Sequence, residues 1–245
     1  MTGVQTCALP IFELRGKLDD AATQCAQAKS DAGTSSDRQL VAYAESQCAA
    51  IALDQGDVDG AIAAYNRSLA AAVDIHDRYF EGVAELSLGQ IDSGRGQWTT
   101  AREHLKKSID AFSAIGETAG EANAQGLIAL AYNATEMHGE RDQAAARAGE
   151  LRAKVNQRQQ VFVADLALQQ LRAEAGDVDA AVSVLRSMSE DAARRNWVSL
   201  SLEAGVAAHA LLVQAGKNEL ADALRNDIGK TAQEHNFEWV QARLK

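Results

Sequence analysis

The chain has 245 residues, of which 47% are hydrophobic but only 5% aromatic, so its core must be built mainly from small side chains, which favours helix packed against helix. The formal net charge of -10 argues against nucleic-acid binding by this segment, because such binding needs clustered Lys and Arg. No stretch approaches the roughly 18 uncharged apolar residues that predict a membrane-spanning helix.

The first eleven residues differ from the rest of the chain. Met1 to Ile11 carry no charge, yet they include the only proline, Pro10, and one of the three cysteines, Cys7. They resemble the translation of a common short-read sequencing adapter, so we interpret residues 1–11 as a non-native segment. The alternative is a short apolar leader, but a secretory signal needs a positive n-region and a longer apolar run. We therefore expect native sequence to begin near Phe12, as the C-terminal fragment of a larger protein.

From Phe12 onward there is no proline, which fits long helices joined by Gly and polar turns. Five glycines lie on a 40-residue grid, and each is followed five residues later by Ala; they are Gly16, Gly56, Gly96, Gly176 and Gly216. The grid also predicts a glycine near position 136, where there is none. The nearest glycine and alanine with the same five-residue spacing are Gly139 and Ala144, which suggests a three-residue insertion that a shorter stretch before Gly176 cancels. Because Gly ends a helix readily and the polar residue after it can cap the next one, each site predicts a turn inside a helix pair.

In chain order, the grid predicts an orphan helix, five helix pairs and a terminal helix. The orphan helix covers 12–31, the pairs cover about 37–76, 77–116, 117–156, 157–195 and 196–235, and the terminal helix covers 236–245. Apolar residues on both sides of the turn near Gly96, such as Leu88 and Leu105, have helical spacing. Because each repeat touches chiefly its neighbours, we expect the orphan helix to pack on one side only and to fray.

The unit ELSLGQIDSGRGQWTTAREHLKKSI resembles a tetratricopeptide repeat. The matching residues are the Leu88-Gly89 pair, the turn glycine Gly96, and Trp98, Ala101, Leu105 and Ser108 at the aromatic, small, bulky and small positions. The resemblance covers 12–245 and implies an all-α fold, a right-handed α-solenoid of antiparallel helix pairs (a tetratricopeptide-like superhelix). This chain departs from the family in its 40-residue period, against about 34, and in lacking the closing proline.

Longer repeats of this kind resemble those of bacterial regulators, in which the array follows a catalytic or DNA-binding domain. The resemblance implies a cytoplasmic protein-protein interaction scaffold or regulatory module without enzymatic activity of its own. The alternative is the regulatory tail of a serine/threonine kinase or of a winged-helix transcriptional regulator. Expected partners are a protein, a peptide or the missing N-terminal domain, and neither nucleic acid nor membrane.

A search for catalytic, metal-binding and cofactor motifs predicts none of these. Cys25 and Cys48 lack a C-x-x-C motif or a His at ligand spacing and fall on core positions, so we expect free, packed thiols in a reducing compartment. His209 is expected to be a partly buried, satisfied imidazole. Carboxylates at the turns, such as Asp57 and Asp177, are expected to cap helices rather than bind calcium. We expect no cofactor.

A partner-binding surface follows from the implied fold, in which the first helix of each pair lines the concave face. The register from Gly89 places seven side chains on that face: Tyr43, Val83, Gln90, Asn123, Asn133, Gln170 and Glu203. The suggested insertion leaves the register of Asn123 and Asn133 open. The set lacks the Lys and Asn combination by which some members of the family grip a terminal carboxylate, so an amphipathic or extended peptide is the expected ligand.

Overall fold

The computed structural model describes residues 15–34 and 37–244, so the interpretation of residues 1–11 lies outside the described residues. In the described part, all regular elements are helical and follow one another closely. The α-helices are α1 Leu18–Thr34, α2 Arg38–Asp54, α3 Val58–Asp74, α4 Arg78–Gly94, α5 Trp98–Ile115, α6 Thr118–Asn133, α7 His138–Arg152, α8 Phe162–Glu174, α9 Val178–Arg194, α10 Val198–Gln214, α11 Asn218–Glu234 and α12 Glu238–Arg243. A short 3-10 helix, Arg158–Val161, precedes α8. No helix in these ranges is long and apolar enough to cross a membrane.

Most turns between helices in the described residues contain a residue in the left-handed backbone region. The five grid glycines all have positive φ, from 69° to 101°. At the missing position, Glu136 has φ 57°, and α7 begins at His138, one grid period after the start of α5 at Trp98. The expected insertion near Gly139 is therefore wrong, because Glu136 itself takes the turn conformation and the register of the grid is unbroken.

A second set of turns lies between one pair and the next. Its positive-φ residues are His76, Gly116, Asn196 and Asn236, each half a grid period from the nearest grid position. After His76, the N–H of Asp77 donates to the carbonyl of Ala72 at 2.9 Å, a bond typical of helix C-termini. Helices α2, α4, α6, α8 and α10 are called first helices below, and α3, α5, α7, α9 and α11 second helices.

The turn carboxylates have two different roles. Asp57 accepts the N–H of Gly60 at 2.9 Å and so caps α3, as expected. Asp177 does not cap α9; its carboxylate instead accepts the Nε–H of Arg172 at 2.8 Å. Capping therefore explains one of these repeated acidic residues, and an ion pair across the turn explains the other.

The chain forms two compact units. The middle unit consists of Ala32–Ser46 and Ile62–Leu171. The terminal unit consists of the described residues up to Asp31, the segment Gln47–Ala61, and the described residues from Arg172 onward. Consecutive helices pack in each unit, α4 to α7 in the middle unit and α9 to α12 in the terminal unit.

In the core of the middle unit, two glycines leave room for one large aromatic ring. Phe112 on α5 is only 1% exposed and lies against Gly82 of α4 and Gly120 of α6. A Cβ at Gly82 or Gly120 would come within 2.9 Å of the ring. Nearby, two serines at equivalent positions of successive repeats make the same bond between helices: Ser68 Oγ donates to the carbonyl of Ala42 at 2.7 Å, and Ser108 Oγ donates to that of Gly82 at 2.9 Å.

The terminal unit contains a hydrophobic cluster that includes helix α1. Leu18, 2% exposed, belongs to the same buried cluster as Leu202 and Val206 of α10 and Phe237 and Val240 near the end of the chain. Helix α1 therefore packs with helices far away in sequence. The expectation of a helix supported by its following neighbour alone is wrong, because α1 contacts this cluster as well as α2.

The two core cysteines form a disulfide. Cys25 of α1 and Cys48 of α2 are bonded, with their Cα atoms 5.4 Å apart. The expectation of free thiols is therefore wrong, and it no longer supports a reducing compartment. The physical reason is the repeat itself: Cys25 and Cys48 are equivalent to Leu105 and Ile128, which pack together in one buried cluster.

Candidate functional site

First helices that follow one another are in contact in the middle unit. Helix α4 contacts α6, and α6 contacts the 3-10 helix that leads into α8. One position of the first helices is occupied by Tyr43, Val83 and Asn123, which are spaced by one grid period and all partly exposed. We call these three residues the first-helix row. Its register is now fixed, since the third pair contains no insertion.

Two members of the row reach the next first helix. The ring of Tyr43 lies edge-on to Phe80, with centroids 6.0 Å apart. The amide of Asn123 is held at both ends, because its Nδ2 donates to the carbonyl of Gln160 at 2.8 Å and its Oδ1 accepts the N–H of Ala164 at 3.0 Å. These side chains therefore join neighbouring repeats as well as forming part of the surface.

The remaining predicted residues of the middle unit lie near the helix ends. Gln90 is exposed and Gln170 is half-buried. The side-chain oxygen of Asn133 accepts a hydrogen bond from Arg141 at 3.0 Å. Six of the seven predicted residues thus lie in the middle unit, and the structure shows Gln90 as the most accessible polar group among them.

Glu203, the seventh residue, lies in the terminal unit and has a distinct environment. Burial raises the pKa of its carboxyl to about 7, and the opposing attraction of Arg243 does not offset that effect. The guanidinium of Arg243 also lies over the ring of Trp239, 5.9 Å from its centroid. Glu203 therefore changes its charge near neutral pH, which the sequence alone did not indicate.

A pair of opposite charges, which was not predicted from the sequence, recurs between the two helices of a pair. Glu45 of α2 accepts two hydrogen bonds from Arg67 of α3, at 2.9 and 2.8 Å. One grid period later, the buried Glu85 of α4 contacts His104 at 2.5 Å and Lys107 at 3.7 Å on α5. The signal was available, since 45 and 85, and likewise 67 and 107, are equivalent positions of the repeat.

Similar pairs recur later in the middle unit. Arg147 donates to Glu121 at 3.0 and 2.8 Å, and that hydrogen bond holds the pKa of its guanidinium above the ordinary value. Arg152 of α7 donates to Asp165 of α8 at 2.7 Å. Each of these partly or fully buried carboxylates has a cationic side chain of a neighbouring helix beside it, so the pairs join helices.

Histidine and metal chemistry receive no support from the geometry. His209 on α10 is buried, and burial, together with the positive charge of Arg225, lowers the pKa of its imidazole and favours the neutral ring. Within the described ranges, no group of three or more His, Cys, Asp or Glu side chains is arranged to hold a metal ion.

Comparison with known proteins identifies the fold. No family model matches the chain, and no curated protein matches it significantly in sequence. The chain is similar in structure to a Rap protein complexed with competence and sporulation factor, with a TM-score of 0.65 and 11% identity over 99% of this chain and 80% of that one. The chain is an all-α, tetratricopeptide-like helical solenoid. This confirms the predicted fold class, and at 11% identity the similarity concerns the fold alone.

Proposed function

We propose that this chain is a protein-interaction module that holds an extended or amphipathic peptide against its first helices. The first-helix row carries this proposal. One position, repeated once in every grid period, presents an aromatic, an aliphatic and an amide side chain along helices that follow one another. Such a mixture of apolar and hydrogen-bonding groups is typical of peptide-binding surfaces. The similar Rap structure, solved in complex with a factor, supports a binding role for this fold.

The contacts in the row indicate which groups would meet a partner. The amide of Asn123 already bonds to backbone groups of the next repeat, so a ligand would have to replace those bonds in order to use it. Tyr43 and Val83 offer apolar surface, and the exposed Gln90 offers a donor and an acceptor. The favoured ligand therefore has apolar side chains for the row and a backbone or polar group for Gln90.

A selected peptide and two matched variants test this proposal. Peptides would be selected from a random display library against the whole chain, and their affinities measured by calorimetry. Val83→Lys adds a charge to the row, so we expect binding at least about tenfold weaker. Ala63→Lys adds the same charge on the exposed side of a second helix and should leave the affinity unchanged. Equal affinities for both variants would refute the first-helix surface.

A further inference from the structure

A cleft of about 220 Å³ lies in the terminal unit between α9, α10 and α11. Three apolar side chains and three charged ones contribute most of its lining. These are Leu202, Leu224 and Ile228, and Arg186, Glu190 and Asp227. Two small residues, Ser189 and Ser201, bond to each other's carbonyls at 2.8 and 3.0 Å and join α9 to α10 beside the cleft. The cleft thus combines an apolar surface with exposed charges.

The repeat register explains why space opens here. In the second pair, the equivalent positions are filled by Glu85, His104 and Lys107, which contact one another. Three repeats later, those positions are Gly205, Leu224 and Asp227. Position 205 therefore lacks the buried carboxylate of Glu85, and position 227 carries an acidic residue in place of the cation Lys107. A Cβ on Gly205 would lie 3.0 Å from the Ile228 side chain, so the glycine lets Ile228 pack directly against α10, and no side chain of position 205 extends towards position 227.

The charges of the cleft are not satisfied by the part of the chain that the structure describes. Glu190 and Asp227 are exposed, and within 15–34 and 37–244 no cation lies within ion-pair distance of either. In the first pair, the equivalent of Asp227 is Arg67, whose side chain extends to Glu45. A long cationic side chain therefore occupies this space when the chain supplies one, and the fifth pair has none to supply.

We propose that this cleft binds a lysine or arginine side chain of a protein partner. The aliphatic stem would lie on Leu224, the partly exposed apolar residue of the lining, and the cationic head would approach Asp227 and Glu190, which outnumber the single rim cation Arg186. The net charge of -10 favours approach of a basic segment. This inference rests on the proposed function, because it adds a second, charge-selective contact to a module that binds a peptide.

A pair of blocked peptides and three variants test the proposal. The probe is Ac-Gly-Leu-Arg-Leu-Gly-amide, and its neutral counterpart carries citrulline in place of arginine. Binding to the whole chain is followed by 1H–15N NMR titration. We expect the arginine peptide to shift amide signals of α9, α10 and α11, and to bind at least about fivefold more tightly than the citrulline peptide. Equal binding of the two peptides, or shifts confined to other helices, would overturn the proposal.

The variants distinguish binding of the arginine peptide at the cleft from its attraction by the net negative charge of the chain. Asp227→Lys restores the charge sign of the earlier repeats and should weaken arginine-peptide binding at least about fivefold. Asp222→Lys, on the same helix outside the cleft lining, should have little effect. An equal loss with both variants would overturn the proposal. Val83→Lys lies outside the cleft and should not alter this titration. If the arginine peptide does not bind the cleft while Val83→Lys still weakens binding of the selected peptides, the cleft proposal is wrong and the proposed function is unaffected.

Discussion

At the residue scale, one carboxyl group makes stability depend on pH. Burial raises the pKa of Glu203 from 4.5 to about 7. Between these values the folded state keeps a proton that the unfolded state has released, so the free energy of unfolding falls as pH rises from 4.5 to 7. Above pH 7 the cost of the buried charge is complete. Glu203 therefore destabilises the fold at neutral to alkaline pH.

Glu203→Gln should remove this dependence. We expect the variant to be more stable than the parent chain at pH 8 by about 2 kcal/mol, with the difference disappearing near pH 4.5. Urea unfolding at both pH values measures the effect. Glu219→Gln, at an exposed position of α11, serves as the control and should change stability little at either pH. A Glu203→Gln variant that is less stable at pH 8 would contradict the buried environment of this carboxyl.

The disulfide gives a second prediction at this scale. Cys25 and Cys48 are 23 residues apart, so reduction should lower the free energy of unfolding by about 3 kcal/mol. Without reductant, a tryptic digest should contain Leu18–Lys29 linked to Gln39–Arg67. A Cys7→Ser background restricts the thiol count to these two residues. The Cys25→Ala/Cys48→Ala variant should not respond to reductant, and two titratable thiols in the native, unreduced chain would disprove the bond.

At the element scale, the turns show what the sequence could and could not indicate. Grid glycines such as Gly56 and Gly96 predicted the turns correctly, because glycine readily adopts positive φ. Glu136 was missed because a glutamate carries no turn signal, and Gly139 nearby offered a misleading one. The third pair nevertheless keeps its register, because Glu136 adopts the positive φ of the turn and α7 begins at His138.

Glu136→Gly should consequently stabilise the chain. Relieving the positive φ of 57° should raise the free energy of unfolding by about 0.5–1 kcal/mol, even after the entropic cost of glycine in the unfolded state. Gln143→Gly, at an exposed position inside α7, should lower it by about 1 kcal/mol. Chemical denaturation of the two variants compares them directly. Destabilisation by both substitutions would show that Glu136 makes a contact worth more than its backbone strain.

The partner-binding surface was also only partly predictable from the sequence. The grid spacing assigns Tyr43, Val83 and Asn123 to one position, and in the structure each lies five residues after the start of its helix. The spacing did not reveal that the amide of Asn123 bonds to Gln160 and Ala164, because those contacts cross to the next repeat. Periodicity in one sequence predicts which face a residue occupies, but hydrogen bonds depend on the distance between helices.

At the scale of the whole molecule, one repeated architecture carries different side chains at equivalent positions of its helices. First and second helices alternate, and successive turns are separated by half a grid period along most of the described chain. Because the register is constant while the side chains vary, each repeat can present different side chains at equivalent positions. The ion pair at Glu45 and Arg67, replaced by Gly205 and Asp227 in the fifth pair, is one such variation.

Site-specific photo-crosslinking tests whether a peptide binds against the first helices. A photoreactive residue would be placed at 43, 83 and 123 on the first helices, and at the exposed positions 63, 103 and 143 on the second helices, which have the same spacing. Each variant would be illuminated with a peptide selected against the parent chain. We expect adducts from the first-helix positions and none above background from the second-helix positions. Adducts formed chiefly from 63, 103 and 143 would contradict this expectation.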